Sequence, residues 1–267
     1  PYHPLMKKWI LETRKLPYKN YYIKSHDGLT LRAKYFEFSP NAVTENMFHG
    51  YKSTAEHNLS GGVQRCFALG RNVLLVDQRT SCESEGSVIS FGINEHRDCL
   101  AWIDFAVKQF GSDVKIVLTG ISMGAATVMI AAGSDNLPSN VVGVVADCGY
   151  TSAEEIIKKC AKDQHYPVKL IYPFIKLGAK IFGHFNLEEY SPLEAMETCK
   201  VPVIFFHGED DDFVPCDMSR EVFGVCPTRK KLVTMPNAGH GLCYPVDPEG
   251  YLQALWDFFG PELSAKK

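Results

Sequence analysis

Short runs of apolar, mostly β-branched residues alternate with helical stretches along most of this chain, and this alternation restricts its fold more than any other feature. Continuous apolar runs of four to six residues are typical of strands that are covered on both faces, as in a parallel sheet. Helical spacing lies between them, as in Cys99, Ile103 and Ala106. The pattern predicts an α/β fold with helices on both faces of a mostly parallel sheet. The five clearest runs are residues 73–76, 114–118, 141–146, 201–206 and 232–235.

The first strands follow a different pattern. Apolar and polar residues alternate from Leu29 to Tyr35, and the turn-forming pair Asp27-Gly28 separates them from the apolar residues 21–23. This arrangement predicts an antiparallel hairpin at the edge of the sheet. Because no repeat or low-complexity segment interrupts the chain, we expect residues 1–267 to form a single domain.

Composition and charge exclude several classes of protein. The net charge is −3 and no run of Lys and Arg is long enough to form a basic face, so we expect no nucleic-acid partner. No stretch of 18 apolar residues is present. The nine cysteines include no Cys-x-x-Cys pair, which indicates free thiols in a reducing, cytoplasmic compartment and no metal site. The sequence begins at Pro1, which leaves an upstream signal or anchor open.

One region, between Cys148 and Cys199, contains no strand-like run. It carries only helical stretches, such as residues 151–162 and 168–182. Two interpretations stay open: a surface pair of helices, or a cap that shapes a substrate pocket. In residues 168–182, three lysines lie opposite an apolar face, which we expect to pack onto the body of the protein; membrane contact is the less favoured alternative. The apolar residues are Leu170, Ile171, Phe174, Ile175 and Ile181, and the lysines are Lys169, Lys176 and Lys180.

A candidate nucleophile lies in the segment Gly120-Ile121-Ser122-Met123-Gly124. The Gly-x-Ser-x-Gly pattern alone is weak, but here an apolar run precedes it and a small-residue stretch follows, as a strand–turn–helix elbow requires. Glycines flank the serine because side chains there would collide with the neighbouring strand and helix. The N-terminus of that helix would direct backbone N–H groups at a developing oxyanion.

A serine hydroxyl needs a base to take its proton, and the chain has nine histidines. In strand–turn–helix hydrolases of this kind the chain order is serine, then an acid, then histidine. His240, between two glycines and after the run that ends at Met235, satisfies this order. The acid should follow the run 201–206, where Asp210, Asp211 and Asp212 are adjacent. Composition does not choose among these three, and Asp147, at the end of the preceding strand, is a rival.

These residues resemble the α/β-hydrolase superfamily, in particular its small bacterial esterase-like and prolyl-oligopeptidase-like members. The likeness spans about residues 21–259 and rests on His49-Gly50-Tyr51, on the elbow 120–124, and on segments 207–215 and 239–241. The pattern His-Gly-x-x-Asp-x-x-Val-Pro of these proteins falls on residues 207–215, so the resemblance selects Asp211 as the acid. It also implies an eight-stranded sheet.

The same resemblance implies two oxyanion donors, the backbone N–H groups of Met123 and Tyr51. It identifies the insertion at about residues 151–198 as a cap. The sequence departs from the pattern in two places. The strand before His49, residues 45–48, is more polar than usual, and residues 80–82 are unusual in a loop that we expect to serve packing rather than chemistry.

We therefore expect a serine esterase that works through an acyl-enzyme and needs no metal or organic cofactor. Its expected partner is a small-molecule ester with a small to medium acyl group. A thioester, a small amide or a peptide stays open as substrate, as does a homodimer. The alternative from another class is a non-catalytic binding protein of the same fold, which labelling of Ser122 by a fluorophosphonate would separate.

Overall fold

Eight strands form one sheet within residues 2–261 and 263, the part of the chain that this computed structural model describes. Strands β1 and β2 form an antiparallel hairpin, and β2 also pairs antiparallel with β4. All other neighbours are parallel. Their order is β1-β2-β4-β3-β5-β6-β7-β8, which confirms the predicted sheet and hairpin. The strands are β1 Lys19–Lys24, β2 Thr30–Phe36, β3 Thr44–Phe48, β4 Asn72–Asp77, β5 Ile116–Ile121, β6 Val141–Asp147, β7 Val203–Gly208 and β8 Lys230–Met235.

Helices cover both faces of this sheet because alternate residues of each buried strand point in opposite directions. Leu118 and Phe205 pack in one core with Trp102 of α4 and Val128 of α5, whereas Val117 and Phe206 pack in another with Leu255 of α11. The helices are α1 His3–Thr13, α2 Ala55–Asn58, α3 Gly62–Ala68, α4 Glu95–Phe110, α5 Met123–Ala132, α6 Ala153–Asp163, α7 Val168–Phe182, α8 Pro192–Glu197, α9 Cys216–Val225, α10 Cys243–Val246 and α11 Pro248–Phe259. None of the described helices is long and apolar enough to cross a bilayer.

The polar strand β3 occupies the centre of the sheet, between β4 and β5. Glu45 of β3 is buried, and its carboxylate accepts hydrogen bonds from Arg65, from Arg71 at 2.7 Å and from the Thr119 hydroxyl at 2.6 Å. A buried charge is tolerated when it is paired and hydrogen-bonded. These contacts explain how a charged residue is accommodated in a central strand.

Helices α6, α7 and α8 lie between β6 and β7. The N-termini of α6 and α8 are capped by Ser152 and Ser191, whose hydroxyls accept from backbone N–H groups. Helix α8 packs against α5 and α9 in the helical layer, whereas α6 packs with α7. The expectation that the apolar face of α7 packs onto the body is wrong in part. Ile171 and Ile175 line a cavity, but Leu170, Phe174 and Ile181 are exposed because they lie about 100° away around the helix axis.

Candidate active site

The turn from β5 into α5 holds Ser122 in a strained conformation. Its φ is +56° and its ψ is −119°, a region that side chains seldom occupy. A Cβ at position 120 would lie 2.0 Å from the carbonyl oxygen of Gly124, and one at position 124 would lie 2.0 Å from that of Phe48. Both positions therefore require glycine. The close packing projects the serine from the carboxyl edge of the sheet.

Three side chains that are distant in the chain meet at this edge. The Ser122 Oγ lies 2.9 Å from Nε2 of His240, and Nδ1 of the same ring lies 2.7 Å from Oδ2 of Asp211. His240 follows β8 in a turn that Gly241 completes with a φ of +68°. The edge of the Phe213 ring packs against the imidazole at a centroid distance of 5.0 Å. The arrangement is a continuous path for a proton from hydroxyl to imidazole, with a carboxylate behind it.

Asp211 is held as an anion. Its Oδ1 accepts hydrogen bonds from the backbone N–H groups of Phe213 and Val214, at 3.0 and 2.8 Å. Burial alone would raise the pKa of the Asp211 carboxyl, but the hydrogen bonds from His207, His240 and the Val214 backbone outweigh burial and hold that pKa well below its usual range. An ionised carboxylate can hold the His240 Nδ1–H and stabilise a positive imidazole.

The other acidic candidates are placed elsewhere. Asp210 and Asp212 are exposed on either side of Asp211. Asp147 is buried, and its carboxylate accepts a hydrogen bond of 3.1 Å from the Tyr251 hydroxyl. Burial raises the pKa of Asp147 to about 6, although that hydrogen bond opposes the rise. The structure therefore brings Asp211, and not its rivals, into contact with His240.

His207 supports Asp211 from the interior of the fold. Its ring is buried, with Nδ1 2.7 Å from the Ser219 hydroxyl and Nε2 2.8 Å from the Val214 carbonyl oxygen. The same Nε2 lies 3.3 Å from Oδ2 of Asp211. The histidine of the pattern in residues 207–215 thus positions the turn that carries the acid.

The residues that carry the two predicted oxyanion donors, Met123 and Tyr51, line the same cavity as Ser122. Met123 is the first residue of α5, so its N–H has no acceptor within the helix. Gly50 lies beside the serine, since a Cβ there would be 3.2 Å from the Ser122 Cβ. The Gly50 carbonyl oxygen accepts from Nδ1 of His49 at 2.8 Å. Because the peptide bond is trans, the N–H of Tyr51 points the opposite way, away from His49.

Gln78 is a residue of the site that the sequence analysis missed. Its backbone N–H donates to Nε2 of His49 at 3.0 Å, and its side-chain amide donates to the His49 carbonyl oxygen. Burial lowers the pKa of His49 to about 4, so the ring stays neutral and can accept from Gln78 while donating to Gly50. The loop after β4, expected to serve packing alone, therefore orients the Tyr51 peptide. Its place at the carboxyl edge of the sheet was the available signal.

A cavity of about 530 Å³ opens beside Ser122. Helix α6 contributes Ile156, Ile157, Cys160 and Ala161 to its wall, and α7 contributes Ile171 and Ile175. No Lys, Arg, Asp or Glu is among the described residues that line it. An apolar cavity of this size, with few polar groups at one end, is typical of a small-molecule site. The remaining lining residues are Tyr51, Phe91, Met123, Tyr150, Gln164, Tyr166 and Phe213.

Two groups of side chains among the described residues have potential metal ligands within 4.8 Å of one another. In the first, Asp211 and His240 already bond each other, and burial raises the pKa of the Cys148 thiol well above its usual range, which keeps it protonated. In the second, His26, Asp27 and Asp98, both carboxylates bond Arg79. The carboxylates of both groups, and the imidazole of His240, are therefore engaged with protein partners.

The sequence of this chain is similar to those of known proteins. The model of the prolyl oligopeptidase family matches residues 90–266. The chain is 24% identical to the uncharacterized protein YqkD of Bacillus subtilis over 241 residues, which cover 90% of this chain and 74% of that protein. It is 26% identical to protein bem46 of Schizosaccharomyces pombe over 252 residues, covering 91% and 77%.

Solved structures share the fold. The esterase Pf2001 of Pyrococcus furiosus superposes with a TM-score of 0.74 at 21% identity, covering 93% of this chain and 92% of that one. The α/β-hydrolase GrgF of Penicillium sp. sh18 superposes with a TM-score of 0.70 at 19% identity, covering 94% and 100%. These likenesses confirm the α/β-hydrolase fold.

Proposed function

Since the chain belongs to the prolyl oligopeptidase family and is a serine hydrolase with the α/β-hydrolase fold, we propose that it cleaves carboxylic esters through Ser122, His240 and Asp211. The observation that carries the proposal is the relay from hydroxyl to imidazole to carboxylate, at 2.9 and 2.7 Å, beside an apolar cavity.

The reaction has two steps. The Ser122 oxygen attacks the ester carbonyl carbon while Nε2 of His240 takes its proton, and the carbonyl oxygen becomes an oxyanion between the N–H groups of Met123 and Tyr51. Each donor contributes about 3 kcal/mol to the transition state. When the carbon–oxygen bond to the alcohol breaks, His240 returns the proton to the leaving oxygen. Water, deprotonated by the same imidazole, then attacks the acyl-serine and releases the acid.

The cavity favours an apolar acyl group. Its lining carries no charged side chain in the described residues, so a charged peptide terminus would lose hydration there without gaining an ionic partner. We propose that α6 and α7 act as the cap predicted at residues 151–198, because both helices contribute to the wall opposite the serine. An aliphatic chain would be buried between them and gain the free energy of removing apolar surface from water.

The test is turnover of p-nitrophenyl esters of increasing acyl length, with matched thioesters and anilides. Ser122→Ala should reduce ester turnover by at least about 10⁴-fold, because no other group supplies the nucleophile. Ser112→Ala, at an exposed serine, is the control and should keep full activity. Fluorophosphonate labelling should likewise be lost only in Ser122→Ala. Unchanged turnover or labelling in that variant would contradict the assignment of Ser122 as nucleophile. Faster cleavage of thioesters or anilides than of esters would make one of those compounds the substrate class instead.

A further inference from the structure

Helix α7 presents a continuous apolar face to solvent. Leu170, Phe174, Leu177 and Ile181 are each between 51% and 67% exposed. Their spacing of four, three and four residues places them on one side of the helix, and we call them the α7 stripe. Scattered single hydrophobic residues are ordinary on protein surfaces, but a contiguous patch of large ones indicates an interaction site.

The stripe is separate from the residues that shape the cavity. Ile171 and Ile175 of the same helix line the cavity and lie about 100° further around the helix axis. Tyr166, just before α7, joins the two surfaces, since it lines the cavity and is also exposed. The stripe is therefore not a by-product of building the pocket, and it ends next to the pocket.

The surroundings of the stripe are basic. Residues 158–184 contain six lysines and one aspartate, a net charge of +5 in a chain whose total is −3. Lys169, Lys176 and Lys180 run along one flank of the stripe, at about 100° per residue around the helix. Three of these lysines are paired: Lys158 with Glu154, Lys159 with Asp163 and Lys176 with Glu188. The other three, Lys162, Lys169 and Lys180, have no ion-pair partner among the described residues, so the free positive charge is about +3.

The positive charge beside the α7 stripe favours one of two possible binding partners. A second copy of this chain, docked by the same face, would bring Lys169 and Lys180 of both copies together, and like charges across an interface oppose association. An anionic lipid surface complements the charge. Lysines beside an apolar helical face can extend their ammonium groups to the headgroups while the large apolar side chains enter the boundary of the acyl chains.

We infer that α7 is a docking element for an anionic lipid surface, with the stripe inserted and its lysines at the headgroups. The inference goes beyond the proposed function, because docking requires no chemistry at Ser122. If both hold, docking would bring Tyr166 and the cavity to the lipid, which is where an ester with a long acyl chain is found.

The test is flotation of the full chain with phosphatidylcholine vesicles, with and without about 30 mol% phosphatidylserine. The chain should float with the anionic vesicles and only weakly with phosphatidylcholine alone. The double variant Leu170→Ser/Phe174→Ser should bind at least about tenfold more weakly. Lys169→Glu/Lys180→Glu should remove the preference for anionic vesicles. Tyr22→Ser, at an equally exposed aromatic of the edge strand β1, and Lys108→Glu, on α4, are the matched controls and should bind as the original chain does.

Each outcome decides something. No flotation of the original chain, or equal flotation of the stripe variants, would overturn the inference. If the original chain dimerises, the stripe variants do not, and no vesicle binding is seen, then the partner of the stripe is a second copy of this chain and not a lipid surface. Turnover of a soluble short-chain ester should be unchanged in the stripe variants, which shows that they are folded. If every form lacks turnover while flotation behaves as stated, the proposed function fails and the docking surface stands.

Discussion

Strand β3 and helix α7 each depart from the usual distribution of polar and apolar residues, in opposite directions. β3 places a carboxylate and an amide side chain, Glu45 and Asn46, in the centre of the sheet, whereas α7 exposes five large hydrophobic side chains, the four of the stripe and Phe182. The carboxylate finds its partners within the chain. The stripe is left more than half exposed by the described residues, which is why we infer a partner outside the chain.

The buried carboxylate of Glu45 stays charged because two arginines pair with it. Burial alone would raise the pKa of Glu45, but Arg65 and Arg71 lower it to about 2, so the carboxylate stays ionised. Arg65 comes from α3, Arg71 directly precedes β4, and Thr119 comes from β5. The charge thus ties the start of β3 to its surroundings, whereas Gly50 and Tyr51 leave the other end of the strand for the active site. A polar residue in the interior is here part of the framework.

The largest effect should come from removing the buried charge. Glu45→Gln would leave Arg65 and Arg71 buried without a counter-charge, and we expect the free energy of unfolding to fall by about 3–5 kcal/mol. Urea unfolding followed by circular dichroism measures it. Glu37→Gln, at an exposed glutamate, is the control and should change little. An apolar replacement of all three charged residues, Glu45→Leu/Arg65→Met/Arg71→Leu, should recover much of the lost stability. Equal stability of Glu45→Gln and the original chain would contradict this account.

A second buried carboxylate, Asp147, should have an effect of intermediate size that depends on pH. Its pKa in the folded state, about 6, is above the ordinary 3.8, so folding favours its neutral form. The contribution of the neutral Asp147 to the free energy of unfolding is present in full below pH 4 and is lost as pH rises to about 6. Between these pH values only the unfolded chain releases the proton. The loss is about 3 kcal/mol.

Asp147→Asn should therefore remove that slope in unfolding experiments between pH 4 and 7, since the amide oxygen can still accept from Tyr251. Asp104→Asn, at an exposed aspartate, is the control. The variant also separates two candidate acids: Asp147→Asn should keep most of the ester turnover, whereas Asp211→Asn should lower kcat by about 10⁴-fold. The reverse order of the two losses would make Asp147 the acid.

The smallest effect should come from the stripe. Leu170→Ser/Phe174→Ser removes two large hydrophobic side chains, yet we expect the free energy of unfolding to change by less than about 0.5 kcal/mol per site, because both are exposed. Leu74→Ala, at a fully buried leucine, should cost about 2–5 kcal/mol in the same thermal or urea assay. A large decrease in the free energy of unfolding of the stripe variant would mean that the stripe packs within the protein. The contrast with β3 would then be wrong.

Much of the fold and part of the site could be predicted because their signals are local. The apolar runs marked the parallel strands, and the glycines around Ser122 marked the elbow, since both depend on residues within one turn of each other. Gln78 could not be predicted in this way, because its partner His49 is 29 residues away and nothing in the loop's composition indicates the contact. The prediction that the apolar residues of α7 pack onto the body was wrong in part for a related reason: amphipathic spacing marks an apolar face, but not how much of that face the body covers.

Sequence by itself determined that this chain alternates strand and helix, where its strained serine lies, and which histidine follows the last strand. Only the tertiary structure decided which carboxylate among four candidates reaches that histidine, and which arginines neutralise Glu45. The physical reason is distance along the chain. The contact between Ser122 and His240 joins residues 118 positions apart, and such contacts are set by the packing of the whole sheet rather than by the preferences of any short segment.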